Sequence, residues 1–192
     1  MPTQAERTEA TRGKLVATAR RLFAERGFAD TPTEEILATA AVSRGAMYHH
    51  FPSKTALFDA VFETVESELT AVVMKSALTE TDPARMLSAG FATFLDVSLR
   101  PDVQRIVMLE GPTVLGWNRW HEIDERYGFG AIKAVLGLAV EQGRLTPDAV
   151  EPWAHLLLGA IMQAGLVVAR SDDPAAAKRA MTSAFERLIV SL

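Results

Sequence analysis

The chain of 192 residues is 48% hydrophobic and 23% charged, lacks cysteine and has a formal net charge of −4, the profile of one or two compact soluble domains. Disulfides, cysteine nucleophiles and thiolate zinc sites are excluded by composition, and a chain this long buries a core without a metal or covalent staple. Taken as a whole, the acidic balance speaks against a nucleic-acid partner, because affinity for phosphate rests on lysine and arginine.

The opening residues, MPTQAERTEA, carry no apolar run behind a basic start, so a cytoplasmic location without a leader is expected. Leu15, Ala19, Leu22 and Phe23 then recur at the spacing of one helix face, and Gly27 stops the segment. A short helix is predicted over Thr33–Ala40 with Ile36 inward, then a tight turn at Ala41 and Val42 and a second short helix beginning at Ser43, a good N-cap. Pro52 and Ser53 precede a longer helix, residues 53–78, that stacks Leu57, Val61, Val65 and Leu69 at i+4 steps. Asp82 and Pro83 open the next, marked by Met86, Leu87, Phe91, Phe94 and Leu95 and ended by Pro101. A short segment over 105–109 stops at Gly111 and Pro112, and a long one over 117–141 stops at Gly143. One further helix starts at Asp148 or Glu151 and reaches Arg170; the last opens at Asp173 and Pro174 and runs to the C-terminus. No stretch alternates with period two, so the prediction is an all-α fold of nine helices, a head of three followed by a larger bundle.

Dividing the charges at Lys54 changes the opening picture. Residues 1–54 hold 8 Lys and Arg against 6 Asp and Glu, a net of +2, leaving 12 against 18 for the rest. The stronger signal is TPTEEILATAAVSRGAMYHHFPSK, residues 31–54, which has the layout of a helix-turn-helix whose second helix enters the major groove. On a helical wheel Met47 and Phe51 face inward, and Gly45 and His49 point away, flanked by Ala46 and Tyr48. Small residues at 45 and 46 allow close approach to base edges, Arg44 reaches a guanine or a phosphate, and His49 can donate to either. Tyr48 offers a hydroxyl to phosphate, and Lys54 and Thr33 are placed to meet phosphates near helix N-termini.

These residues carry a resemblance. The head is similar to the DNA-binding domain of the TetR family of transcriptional regulators, through Leu22, Phe23, Gly27, Phe28, Thr31, Ile36, Ala40, Val42, Ser43, Gly45, Met47, Tyr48, Phe51, Ser53, Lys54, Leu57 and Phe58. It covers residues 11–62 and departs from the family pattern at Ala41, where glycine is common, and at Leu37, where a small residue is. The resemblance implies a homodimeric repressor with a DNA-binding domain over residues 1–52 and an effector-binding and dimerisation domain over 53–192, binding a palindromic double-stranded DNA operator. Arg44, Gly45, Ala46 and His49 would read bases; Thr33, Ser43, Tyr48, His50 and Lys54 would hold phosphates. For His50 the wheel disagrees, placing it nearer the core, and both histidines also fit the polar end of a helix.

In the body, the last two helices are rich in small and apolar residues. The apolar run over 153–169 is short for a membrane span and includes His155 and Gln163, so no membrane partner is expected. Burial on two sides, against its own bundle and a second copy, explains such a helix better. The predicted isologous four-helix interface comprises Leu157, Ala160, Ile161, Ala164, Val168, Met181, Ala184, Phe185 and Leu188. Between head and interface, Phe91, Phe94, Met108, Glu110, Trp117, Trp120, His121 and Tyr127, with Gln163, supply the apolar walls and few polar groups of a small-molecule site. Each also suits a bundle core. The resemblance favours a pocket there for a small hydrophobic or aromatic effector that moves the fourth helix.

Rival readings find less support. An enzyme would need a reactive set, yet there is no GxSxG, phosphate loop or cysteine. His121 stands with Glu122, Asp124 and Glu125, and His121 and Glu125 are four apart as metal ligands can be, but the second histidine of a zinc-protease motif is absent, and solvated charges on a helix face explain the cluster. No catalytic residue, cofactor or metal is expected. A helical interaction module, or a small-molecule binding protein without a DNA target, would not call for the spacing over 42–54.

Overall fold

The computed structural model of the chain describes residues 3–190, which among them form ten α-helices, a π-helical segment and a 3-10 turn, with no strand. Helix α1 (Gln4–Arg26) opens with a capping box, Thr3 Oγ1 accepting the Glu6 N–H at 3.2 Å while the Glu6 carboxylate accepts the Thr3 N–H at 2.6 Å. It buries Leu15, Val16, Ala19, Leu22 and Phe23 and ends at Gly27, whose φ of 88° needs a residue without Cβ. Helix α2 (Thr33–Ala40) has the predicted bounds, and α3 (Arg44–His50) starts directly after its N-cap Ser43. Helix α4 (Lys54–Ala77) is capped by Ser53, whose hydroxyl accepts the Ala56 N–H at 3.0 Å, and α5 (Pro83–Val97) by Asp82.

The segment expected around residues 105–109 is a π-helix, Val103–Glu110, that runs into α6 (Gly111–Leu115). The long helix predicted over 117–141 is instead two, α7 (Trp117–Arg126) and α8 (Gly128–Glu141), broken at Tyr127 with φ −121° and ψ −97°. The break has a physical reason. The first N–H groups of α8, on Gly128 and Phe129, turn onto the carboxylates of Glu66 and Asp124 rather than onto carbonyls of a continuing helix. After the 3-10 turn Pro147–Ala149 come α9 (Val150–Ala169) and α10 (Pro174–Ile189). Pro152 lies in the first turn of α9, where its missing N–H has no intrahelical partner to lose. The predicted extension of the last helix to Leu192 ends outside the described residues.

The core is one continuous cluster from Leu15 to Ile189. Helix α4 is its spine, contributing Leu57, Phe58, Val61, Phe62, Val65 and Leu69. Near its start Phe58 closes a triangle with Phe23 and Phe28, centroids 5.4 to 5.7 Å apart. Farther along, α4 packs on α5, where Gly90 lies against Val73 and Ala77. The expected boundary at residues 52 and 53 thus falls at the start of a helix whose first turns complete the head's core. Residues Pro147–Ala169 form the one helical stretch among those described that is long and apolar enough to cross a membrane, yet Ala154, Leu157, Ala164, Gly165 and Val168 on it are buried in this bundle.

Candidate functional site

In the head, Met47 and Phe51 are buried, at 0% and 4% exposure, and anchor α3 with its opposite face outward. The turn before α3 is tight. Ala41 takes the left-handed conformation (φ 52°, ψ 47°), and the N–H groups of Ala41 and Val42 donate to the carbonyls of Ala38 and Leu37 at 3.3 and 3.1 Å. Ser43 caps α3, its hydroxyl accepting the Ala46 N–H at 3.2 Å. Gly45, Tyr48 and His49 are exposed, with Ala46 half-buried beside them, and the space where a Gly45 Cβ would stand is open. Arg44 pairs with Glu34 of α2, and Thr33 is half-buried at the start of that helix.

Two expected phosphate contacts sit differently. Lys54 donates to the Phe28 and Thr31 carbonyls at 2.8 and 3.1 Å, with its ammonium 4.2 Å above the Phe28 ring. Two of its three donors are therefore committed inside the head, pinning the start of α4 to the loop between α1 and α2. His50 is half-buried and lines a cleft with Arg12, Phe51, Asp59, Glu63 and Tyr127, away from the face of Gly45 and His49.

The body encloses a cavity of about 90 Å³ among α4, α5, α7, α8, α9 and the π-helix. Its wall includes Phe91, Phe94 and Trp120. Other residues expected there lie elsewhere, because the phase of their helices differs from what a mixed apolar sequence suggests. Met108 is buried against the Gly165 backbone. Glu110 reaches the head, its Oε2 accepting the Phe28 N–H at 2.9 Å. Trp117 is 66% exposed and His121 half-buried, and both stack on the outside of α7. Tyr127 donates its hydroxyl to Glu63 at 3.3 Å in the other cleft, and Gln163 is exposed.

Sequence reasoning missed the cavity's two acids: Glu66 was not singled out, and Asp124, expected as a solvated charge, is buried at 4% exposure because its helix face packs on the bundle; Thr70 also lies in the wall. Both carboxyls are buried, and Glu66 Oε2 and Asp124 Oδ2 have no hydrogen-bond partner among the described residues. Burial, reinforced by the Asp124 charge and opposed by the Gly128 N–H, pushes the Glu66 pKa up to about 8. Burial likewise raises Asp124 to about 6, against the Phe129 N–H and His121 and with a further push from Glu125. The sequence held a signal: Glu66 follows Phe62 by four residues on the apolar stripe of α4, where an acid is rare.

On the outer face of the bundle, Leu157, Ala164 and Val168 point into their own core, and Phe185 stacks on Phe91 at 4.0 Å. Ala160, Ile161 and Met181 are half-buried, Ile161 in the cavity wall. Ala184 and Leu188 are exposed, the latter by 46%, beside a stripe of Leu156 (67%), Gly159, Gln163 and Val167 (36%) that the prediction omitted. The expected surface is therefore out of phase on α9 by about one residue, since a helix apolar nearly all round gives no phase signal.

Comparison with known proteins agrees with this architecture. Residues 15–61 match the tetR family of bacterial regulatory proteins, and residues 84–192 match the tetracyclin repressor-like C-terminal domain. The chain is 27% identical over 190 residues to the transposon Tn10 TetC protein of Escherichia coli, covering 98% of this chain and 95% of that protein. It is 32% identical over 152 residues to the HTH-type transcriptional regulator CymR of Pseudomonas putida, covering 77% of this chain and 74% of CymR. A crystal structure of a TetR-family transcriptional regulator from Pectobacterium atrosepticum superposes with a TM-score of 0.77 at 30% identity, covering 97% of this chain and 95% of that one. RolR in complex with resorcinol shares the fold, with a TM-score of 0.72 at 22% identity over 97% of this chain and 91% of RolR. With a helix-turn-helix head on a helical body, and matches in both parts, the chain belongs to the TetR family of transcriptional regulators.

Proposed function

We propose that the protein is a cytoplasmic, ligand-responsive homodimeric repressor: two heads hold a palindromic operator, and a small effector of hydrophobic or aromatic body releases it. The observation that carries this reading is the joint between cavity and head. Val107 of the π-helix lines the cavity. Two residues before it Arg105 donates to the Glu25 carbonyl at 2.8 Å, and three residues after it Glu110 accepts the Phe28 N–H at 2.9 Å. A ligand that displaces Val107 acts on the same short segment that grips the end of α1 and the loop before α2.

RolR was solved with resorcinol, and AibR with isovaleryl coenzyme A and operator DNA; a comparable pairing of ligand and operator is the reading proposed for this chain. The effector must bind the state with misplaced heads better than the operator-fitting state, or it shifts nothing. Arg44, Gly45, Ala46 and His49 are assigned to base edges, and Thr33, Ser43 and Tyr48 to phosphates; Lys54 adds charge beside them while bracing the head.

Selection from a randomised duplex library tests the function. Enrichment of a palindrome is expected, with affinity falling about tenfold or more on Tyr48→Ala at unchanged melting temperature, because Tyr48 is exposed and outside the core. Failure to enrich any palindrome at low salt overturns it.

A further inference from the structure

The proposed effector response leaves the ligand's chemistry open, and the cavity wall restricts it. Its lining contains no lysine, arginine or histidine, so an anionic ligand would enter an apolar space already holding two acids, with nothing to neutralise it. Each acid has one oxygen directed at the first turn of α8, where a Cβ on Gly128 would stand 3.0 Å from an oxygen of both. The other oxygen of each, Glu66 Oε2 and Asp124 Oδ2, is buried and lacks a partner. Buried polar atoms are normally satisfied, so unpaired acid oxygens on two residues of the cavity wall mark where a partner belongs. In the same wall Phe91, Phe94 and Trp120 present aromatic surface that favours a cation.

We infer that the cavity takes a lipophilic monocation, a compact aromatic or branched body bearing one ammonium or amidinium group that donates to the Asp124 carboxylate, with the Glu66 carboxyl beside it. This rests on the effector-response reading and adds the charge of the ligand. One positive charge is the match. Near neutral pH Asp124 is largely ionised and Glu66 largely protonated, given values of about 6 and about 8, so the pair holds roughly one negative charge. The charged and titratable groups that bear on the pair are His121 and Glu125 of α7, both acting on Asp124. At about 90 Å³ the cavity is below the ~150 Å³ that holds a benzene. Met74, Met86 and Met162 in its wall are the flexible side chains that re-pack to admit one.

Three single-ring probes test the charge: benzylammonium, benzyl alcohol and benzoate, titrated calorimetrically into the full-length protein. At about pH 7.5 the ammonium is expected to bind about tenfold or more tightly than the alcohol, with no heat from benzoate. Asp124→Asn should bring the ammonium-to-alcohol ratio close to one. Should that variant not fold, the wild-type protein gives the same answer, since the ratio should fall about tenfold at about pH 5, where Asp124 is protonated and the amine is not affected. Equal affinities, or tighter binding of benzoate, overturn the inference while leaving an effector response intact. Binding of none of the three also overturns it, and the operator selection, run without any probe, stands or falls separately.

Discussion

Ala41 sits at φ 52° in the turn of the helix-turn-helix, the one non-glycine residue with positive φ among those described. A β-carbon there costs about 1–2 kcal/mol, of which glycine would give back part through its greater freedom in the unfolded chain. Ala41→Gly is therefore expected to stabilise by about 0.5–1 kcal/mol and raise Tm by about 1–3 °C, read by circular dichroism; a lower Tm would mean the turn is unstrained. The sequence made this position legible, because Ala41 stands where the family pattern has glycine. Glu66 was less legible, since its burial depends on α7 and α8 closing over it. Its carboxyl keeps a proton to about pH 8 when folded, against an ordinary 4.5. The folded chain thus binds more protons between those values, and the stability tied to protonated Glu66 is full at the acid end and lost as pH rises towards 8. Glu66→Gln cannot ionise, so its gain over wild type in urea denaturation should be larger at about pH 8 than at about pH 5, by a difference of roughly 1–3 kcal/mol. Parallel pH profiles would contradict the burial of this acid.

At the scale of elements, caps and stops were readable because they are local: Ser43, Ser53, Asp82 and Asp173 each accept an N–H from the first turn they precede. The break at Tyr127 was not, because the carboxylates that replace α8's missing carbonyls come from α4 and α7. Helix phase was the other blind spot. Glu110, expected in the pocket, lies on the far side of the π-helix and holds the head, so close that a Cβ on Gly27 would stand 2.4 Å from its Oε1. π-Segments insert an extra residue per turn and are common where a helix has to shift. Glu110→Ala removes the acceptor for the Phe28 N–H without touching the cavity wall. Ligand affinity measured by calorimetry should change little, whereas the factor by which ligand weakens operator binding should drop about fivefold or more. An undiminished factor would place the coupling route elsewhere, such as along α4.

For the whole molecule, the net charge of −4 is a sum over unlike ends, and the head's share of +2 is small. A single head with so little charge binds phosphate weakly at physiological salt, so useful affinity needs two heads joined. The joining surface has to be apolar, exposed and on rigid helices. The stripe of Leu156, Gly159, Gln163 and Val167 on α9, with Ala184 and Leu188 on α10, meets those conditions, and small residues at 159 and 184 let a symmetry-related copy approach closely. Leu156 is 67% exposed and Leu188 46%, so charging them leaves the chain's own core in place. The double substitution Leu156→Lys and Leu188→Lys should sediment as a monomer with a wild-type helical spectrum. It should bind the full operator about 10²–10³-fold more weakly, with a salt dependence about half as steep because one head then contributes its phosphate contacts alone. A variant that remains dimeric would move the interface off this face, and a monomer with undiminished affinity would mean that one head suffices.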